Sequence, residues 1–416
     1  MSNTKKMMFK SYLIWFVAVV CLLFQFTLQF SSGIMTKQLM ETFNLTAARA
    51  GFLAGSYYHI YVLLQTPAGF LTDRFGPKNL LAYGCIVCSV GCVVFSHANS
   101  FYTAELGRLL MGGGLSFAFV GMVYVTATVL PSSIFSLMIG MAETLAMFGT
   151  LVSEVYLARY IDIIGWRYYV SICGFIAIFL SILAWSFLPG SKKQSDEKIS
   201  REIMSYKDVF EQLMSLAVNP VVWANGIYAG LMFSVLTTFH GLWAQPFFIE
   251  AYHFPVSTAA DYCSLMILGS LVGFPFAGWL GGKLQQTRYY MVFAALLNAV
   301  LLLSVLTFIT MPHYMLAVIL LAIGFVTGSY VLTYSIAHNI VPAGAKSTSI
   351  GFTNTLAVIT APLMQPLVGN ILDMVSKTSN YTIHDFQLAI GIVPLCLLIS
   401  AILACFLPTA NKNVNV

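Results

Sequence analysis

A chain of 416 residues with 59% hydrophobic and only 8% charged positions has too much apolar surface for a water-soluble globule, since soluble domains carry about 25% charged and about 45–50% apolar residues. The mean hydropathy of +0.84 requires a lipid solvent. The net charge of +5 follows from loop topology, as shown below, and gives no reason to expect a nucleic-acid partner.

Apolar runs long enough to cross a bilayer, about 20 residues each, recur twelve times, near 11–31, 48–71, 79–96, 101–124, 133–157, 168–188, 220–248, 259–281, 289–309, 314–337, 347–372 and 387–407. They are too long for barrel strands and lack period-2 alternation, so the predicted class is an all-α membrane protein of twelve transmembrane helices. The first run follows "MSNTKKMMFK". It is too long for a signal peptide and no small-x-small cleavage site follows, so an uncleaved helix is expected. It carries Gln25 and Gln29, one turn apart near mid-depth. The second run carries Tyr57, Tyr58 and His59 at similar depth.

The third run holds Cys85, Cys88 and Cys92 on one face. A metal or cluster site is one reading of that spacing. No fourth ligand is in view, so packing is expected, with no metal, no cofactor and no disulfide framework. The fourth run contains Arg108, with Glu105 one turn earlier.

The fifth run, "MAETLAMFGTLVSEVY" at 141–156, contains Glu143 and Glu154 and no basic residue. Three helical turns take just under eleven residues, so both carboxylates share a face, and Glu143 lies roughly 15 Å from the start of the span, near the midplane. Charges inside spans are rare and face a polar interior. Arg108 with Glu154 or Glu105 forms either an ion pair that locks the hairpin of spans four and five or a coupling group; the residues alone leave both open. Glu143 has no basic residue at its depth, and desolvation there favours its protonated form. It is the preferred proton carrier.

Residues 190–212 form the only strongly hydrophilic internal stretch. The expected organisation is a six-helix bundle over 1–189, a linker over 190–219 and a second six-helix bundle over 220–416. With both termini cytoplasmic, inside segments hold fourteen Lys and Arg residues against five outside, in accord with the positive-inside rule. The seventh span adds Tyr228, His240 and Trp243, the tenth Tyr330 and Tyr334, and the eleventh Asn354.

The halves repeat. "SLMIGMAETLAMFGTLVSEVYLARYID" (136–162) aligns without gaps on "STSIGFTNTLAVITAPLMQPLVGNILD" (347–373) at an offset of 211, placing Asn354 opposite Glu143. "PAGFLTDRFG" (67–76) aligns on "FAGWLGGKLQ" (276–285) at an offset of 209, which puts Gly282 opposite Asp73. A duplicated six-helix unit is a transporter architecture.

The loop "GFLTDRFGPK", with Gly69, Leu71, Asp73, Arg74, Gly76 and Lys78, resembles the signature loop of the major facilitator superfamily. "GRLLMGGG" (107–114) and "GWRYY" (165–169) resemble stretches of its fourth and sixth helices. The resemblance implies two pseudo-symmetric six-helix bundles lined by helices 1, 4, 7 and 10, and alternating access. It also implies that Asp73 closes the cytoplasmic side against an arginine and a helix N-terminus. The second copy has Gly282 there, so a one-sided latch is expected. Helix 5 lacks the Gly-Pro motif of drug antiporters.

Arg108, the amides and the aromatic residues suit a small polar metabolite such as an amino acid, organic acid, sugar derivative or small chelator. Gln25, Gln29, Tyr57, Tyr58, His59, Arg108, Tyr228, His240, Trp243, Tyr330, Tyr334 and Asn354 are the substrate candidates; Gly69, Asp73, Arg74, Gly76 and Lys78 form the gate. The expected function is proton-coupled import by a monomer in a bacterial cytoplasmic membrane. A proton-coupled efflux antiporter is the alternative, because an acidic, aromatic cavity also suits a lipophilic cation. A transporter-like sensor would need a signalling domain, which the tail "NKNVNV" is not expected to supply. No G-x-S-x-G, H-E-x-x-H or paired-aspartate motif argues for an enzyme.

Overall fold

A computed structural model describes residues 3–45, 47–152, 164–190, 214, 216–341, 345–376 and 381–408. Glu154 and most of the hydrophilic linker lie outside them. No strand occurs among the described residues. A helix occupies each predicted run. Among the described residues eleven segments are long and apolar enough to cross a membrane: Met8–Gln29, Pro77–Ser96, Phe101–Val129, Ser132–Leu151, Trp166–Phe187, Pro220–Tyr252, Thr258–Lys283, Thr287–Thr307, His313–Asn339, Lys346–Val375 and Ile383–Cys405. The remaining run, the second, is the helix Ala47–Phe75. The first span belongs to a helix, Asn3–Phe43, that outruns its apolar stretch at both ends.

Local chemistry sets the helix starts. Gly76 adopts φ 73°, a left-handed conformation suited to glycine, and Pro77 then opens the third span. Ser100 caps the fourth span by accepting from the Thr103 N–H at 3.3 Å. Asn219 caps the seventh at Val221, with Pro220 in the first turn. Thr382 and Asp385 form a reciprocal capping box on the twelfth.

Two spans are broken internally, the seventh three residues before Pro246 and the tenth with no proline in its run. Val235–Trp243 of the seventh is a π-helix, and Gly328–Val331 of the tenth is a 3₁₀ turn. Such interruptions cost regular hydrogen bonds and often mark functional sites.

The chain forms two compact units. The first takes in residues 1–132, 145–216 and 341–352, the second 133–144, 217–340 and 353–416. Each therefore contains one span-end from the other half of the sequence. In the first unit the third span packs against the fourth so closely that a Cβ on Gly84 or Gly114 would overlap the facing backbone. This is why "GRLLMGGG" is glycine-rich: hydrocarbon gives helices little reason to associate, so they pack through small residues. In the second unit Gly269, Gly273 and Gly324 do the same between spans eight and ten.

Within the first unit, a Cβ on Gly69 would overlap the Ser347 carbonyl, and one on Gly351 the Gln65 carbonyl. Within the second, a Cβ on Gly278 would overlap the Ser136 carbonyl, and one on Gly140 the Phe274 carbonyl. Gly69 and Gly278 are repeat equivalents, as are Gly140 and Gly351. The duplicated sequence thus builds the same helix seam twice, once in each unit.

Candidate functional site

The structure gathers the candidates into separate clusters. In the first unit, Arg108 is almost wholly buried (1% exposed). Its Nη1 donates to the Leu28 carbonyl at 3.2 Å, and its guanidinium lies 5.1 Å from the Tyr57 ring centre. A cation over an aromatic face in a desolvated setting is held by the ring quadrupole. Gln25 donates from its amide to the Gln29 amide oxygen one turn on, and Gln29 meets the Tyr58 hydroxyl. Residues Gln25, Gln29, Tyr57, Tyr58 and Arg108 therefore lie together, and Glu105 is half-buried one turn before Arg108.

His59 does not join them. It is exposed on the same face as the exposed Phe52 and Leu63, with its ring 5.5 Å from Phe52. Next to it, Arg49, Phe52, Phe101 and Tyr102 line an open cleft of about 390 Å³ that shares no residue with the Arg108 cluster. Three consecutive helical residues span 200° of arc, so Tyr57, Tyr58 and His59 cannot all face one way.

In the second unit, Glu143 is buried (2% exposed) and accepts from the Tyr330 hydroxyl at 2.9 Å. Asn354, its repeat counterpart, is also buried and accepts from the Tyr334 hydroxyl at 3.0 Å. One turn of the tenth span thus serves both repeat positions. Tyr228 has a different role from the one expected: it is fully buried, donates to the Met291 carbonyl at 3.1 Å and lies 3.1 Å from the Ser329 hydroxyl. Its polar end is spent inside the unit.

His240 and Trp243 sit in the π-helical segment. Trp243 Nε1 donates to the Gln365 carbonyl at 3.2 Å, and the Gln365 amide donates to the Thr237 carbonyl at 2.7 Å. Gln365, which sequence reasoning passed over, satisfies a carbonyl in the π-helical segment. Asn225 and Asn298 were also missed; they bond the Thr333 carbonyl and the Thr327 hydroxyl of the tenth span. An asparagine in an apolar run was the available signal, because a buried amide needs partners.

The signature loop is the best defined. Asp73 accepts from the Ser347 N–H at 3.1 Å, the Thr348 N–H at 3.0 Å and the Thr348 hydroxyl at 3.1 Å. These groups open the eleventh span, where unpaired N–H groups and the helix dipole favour an anion. Burial pushes the Asp73 carboxyl above the usual carboxylate range, and the bonds from Ser347 and Thr348 pull it back. No arginine is among its hydrogen-bond partners in the described residues. Arg74 lies 5.3 Å from the Phe75 ring and Lys78 5.2 Å from the Trp185 ring. Cys85, Cys88 and Cys92 are buried thiols, Cys85 beside Cys21 of the first span and Cys92 against Gly174 of the sixth, and no group of three potential metal ligands occurs among the described residues.

The family model for the Major Facilitator Superfamily matches residues 14–365. The chain belongs to the major facilitator superfamily. It is 23% identical over 387 residues to the uncharacterized transporter YybO of Bacillus subtilis, covering 85% of this chain and 86% of that one. It is 21% identical over 306 residues to the probable sulfoacetate transporter SauU of Cupriavidus necator, covering 69% and 70%. The solved structure of the proton:xylose symporter XylE superposes with a TM-score of 0.73 over 96% of each chain at 14% identity. Membership makes this an integral, multi-pass membrane protein and a secondary transporter of small molecules.

For this major facilitator protein, Asp73→Asn tests the latch. The amide keeps one acceptor and loses the charge, removing about 1–2 kcal/mol of charge-assisted bonding, roughly a tenfold change in the equilibrium it stabilises. Slower transport with substrate binding changed less than about twofold is expected; an unchanged transport rate would show that the bond has no gating role.

Proposed function

We propose that this protein imports a small organic anion together with protons by alternating access, acting as a monomer in a bacterial cytoplasmic membrane with both termini cytoplasmic. The observation that carries the proton part is Glu143. It is a carboxyl buried within a span whose hydrogen bond, among the described residues, comes from a neutral tyrosine. A permanent charge there would be costly, whereas a group that gains and loses a proton has a use for the position. Arg108 supports the anion part. Apart from Arg49 at the edge of the second run, it is the one Lys or Arg within the predicted spans, and its guanidinium offers a planar fork suited to carboxylate or sulfonate. The probable sulfoacetate transporter among the relatives fits the same chemistry.

The test is a thermal-shift panel on the purified protein with small carboxylates and sulfonates, neutral sugars and lipophilic cations. Binding to the folded state raises Tm with saturation. An organic anion is expected to stabilise the wild type, and Arg108→Gln is expected to weaken that ligand at least about tenfold. Stabilisation by cations alone would overturn the anion reading and favour efflux.

A further inference from the structure

The Glu143–Tyr330 bond lies at a break in the tenth span. Tyr330 is within the 3₁₀ turn Gly328–Val331, and Tyr334 is in the α-helix Leu332–Asn339 that follows. The break is held from outside. Ser329 meets the Tyr228 hydroxyl at 3.1 Å, the Asn298 amide donates to the Thr327 hydroxyl at 2.8 Å, and the Asn225 amide donates to the Thr333 carbonyl at 2.9 Å. The Thr333 hydroxyl donates to the Tyr330 carbonyl at 2.6 Å. The Tyr330 ring stacks on Phe233 at 4.9 Å and meets Phe274 and Tyr334 edge-on at 5.5 and 6.0 Å.

We infer that Gly328–Val331 is a two-state joint through which Tyr330 and Tyr334, as positioning residues, link the proton on Glu143 to Asn354 of the eleventh span. This rests on Glu143 being the proton site. An ionised carboxylate accepts a hydrogen bond about twice as strong as a neutral acid does, so proton binding loosens the pin on Tyr330. A 3₁₀ turn has poorer bonds than an α-turn and relaxes toward it when the pin weakens. The change from about 120° to about 100° per residue turns Tyr330 by roughly 20–40° relative to Tyr334, because one or two of the steps between them lie in the turn. The two hydroxyls then cannot hold Glu143 and Asn354 at once. A single proton, which leaves Coulombic and hydrogen-bond differences within one turn only, is thereby transmitted to another span.

Groups facing Glu143 are few. The eighth span contributes the Leu271 carbonyl, taken by Thr144 at 3.0 Å, and Phe274 against Gly140. The tenth contributes Tyr330, the one titratable partner of Glu143 among the described residues. The eleventh contributes neutral Asn354 beyond Tyr334.

The experiment is amide hydrogen exchange on the purified full chain at acid and alkaline pH, read at 328–334 and around 354. In the wild type, the protection factor at both places, which is the exchange rate taken relative to the intrinsic rate of a free amide at the same pH, is expected to change about fivefold or more between the two pH values. Glu143→Gln and Tyr330→Phe should each remove that dependence. Tyr334→Phe should keep it at 328–334 and lose it around 354. Should Tyr330→Phe fail to fold, Ser329→Ala serves, with fast exchange at the joint at either pH. A wild-type joint insensitive to pH overturns the inference. If Glu143→Gln nonetheless abolishes pH-driven uptake, the proton site stands without the joint; if uptake also survives that substitution, the proton reading has failed as well.

Discussion

Glu143→Gln is expected to abolish uphill, pH-driven accumulation of substrate in proteoliposomes while leaving substrate counterflow within about twofold of wild type. The amide is nearly isosteric, and its oxygen can still accept from Tyr330, whose hydroxyl is 2.9 Å from the carboxylate. What it cannot do is exchange a proton. Counterflow needs only that the loaded carrier reorient, whereas accumulation needs a proton to load on one side and leave on the other. The two assays therefore separate titration from structure. Glu143→Leu is the structural control: it strands the buried Tyr330 hydroxyl's bond to the carboxylate and should cost about 1–3 kcal/mol of stability, seen as a lower Tm. If Glu143→Gln still accumulates substrate against a gradient, Glu143 is only a hydrogen-bonding group and Glu154 becomes the next candidate.

The second large effect is expected at the duplicated seams. Gly69→Val, Gly351→Val, Gly140→Val and Gly278→Val should each reduce transport by about tenfold or more, because every added side chain collides with a facing backbone carbonyl and backbone cannot move aside as a flexible side chain can. The repeat predicts paired outcomes, with Gly69 and Gly278 behaving alike. Gly113→Ala is the control: its Cβ would meet the Ile60 side chain at an ordinary 3.6 Å, and near-wild-type transport is expected. Uptake assays at equal surface expression decide the matter. Normal transport by the four valine variants would show that the seams need not approach this closely during the cycle.

Much of this was readable in advance because hydrocarbon imposes a simple code. A span must satisfy its own backbone, so twelve apolar runs became twelve helical spans. The repeat placed Asn354 opposite Glu143, and both are buried acceptors of tyrosine hydroxyls from the tenth span. The family resemblance implied that Asp73 meets an arginine and a helix N-terminus; it bonds the first turn of the eleventh span, and no arginine is among its hydrogen-bond partners in the described residues.

Other features were not legible. Tyr228 looked like a cavity residue, yet its hydroxyl serves Met291 and Ser329. His59 sits beside Tyr58 in sequence but on another face. A tyrosine or histidine in an apolar run carries no mark of where its polar end goes; only the neighbouring helices determine that.

By itself, then, the sequence determined the solvent, the number of spans, the duplication and the few polar groups that must find partners, because these follow from transfer energies that act residue by residue. Tertiary structure alone decided the π-helical segment of the seventh span, the 3₁₀ turn that aims Tyr330, and the closure of both glycine seams. Local propensity separates α, 3₁₀ and π turns by little, so contacts from Asn225, Tyr228, Asn298 and Gln365, distant in sequence, select among them.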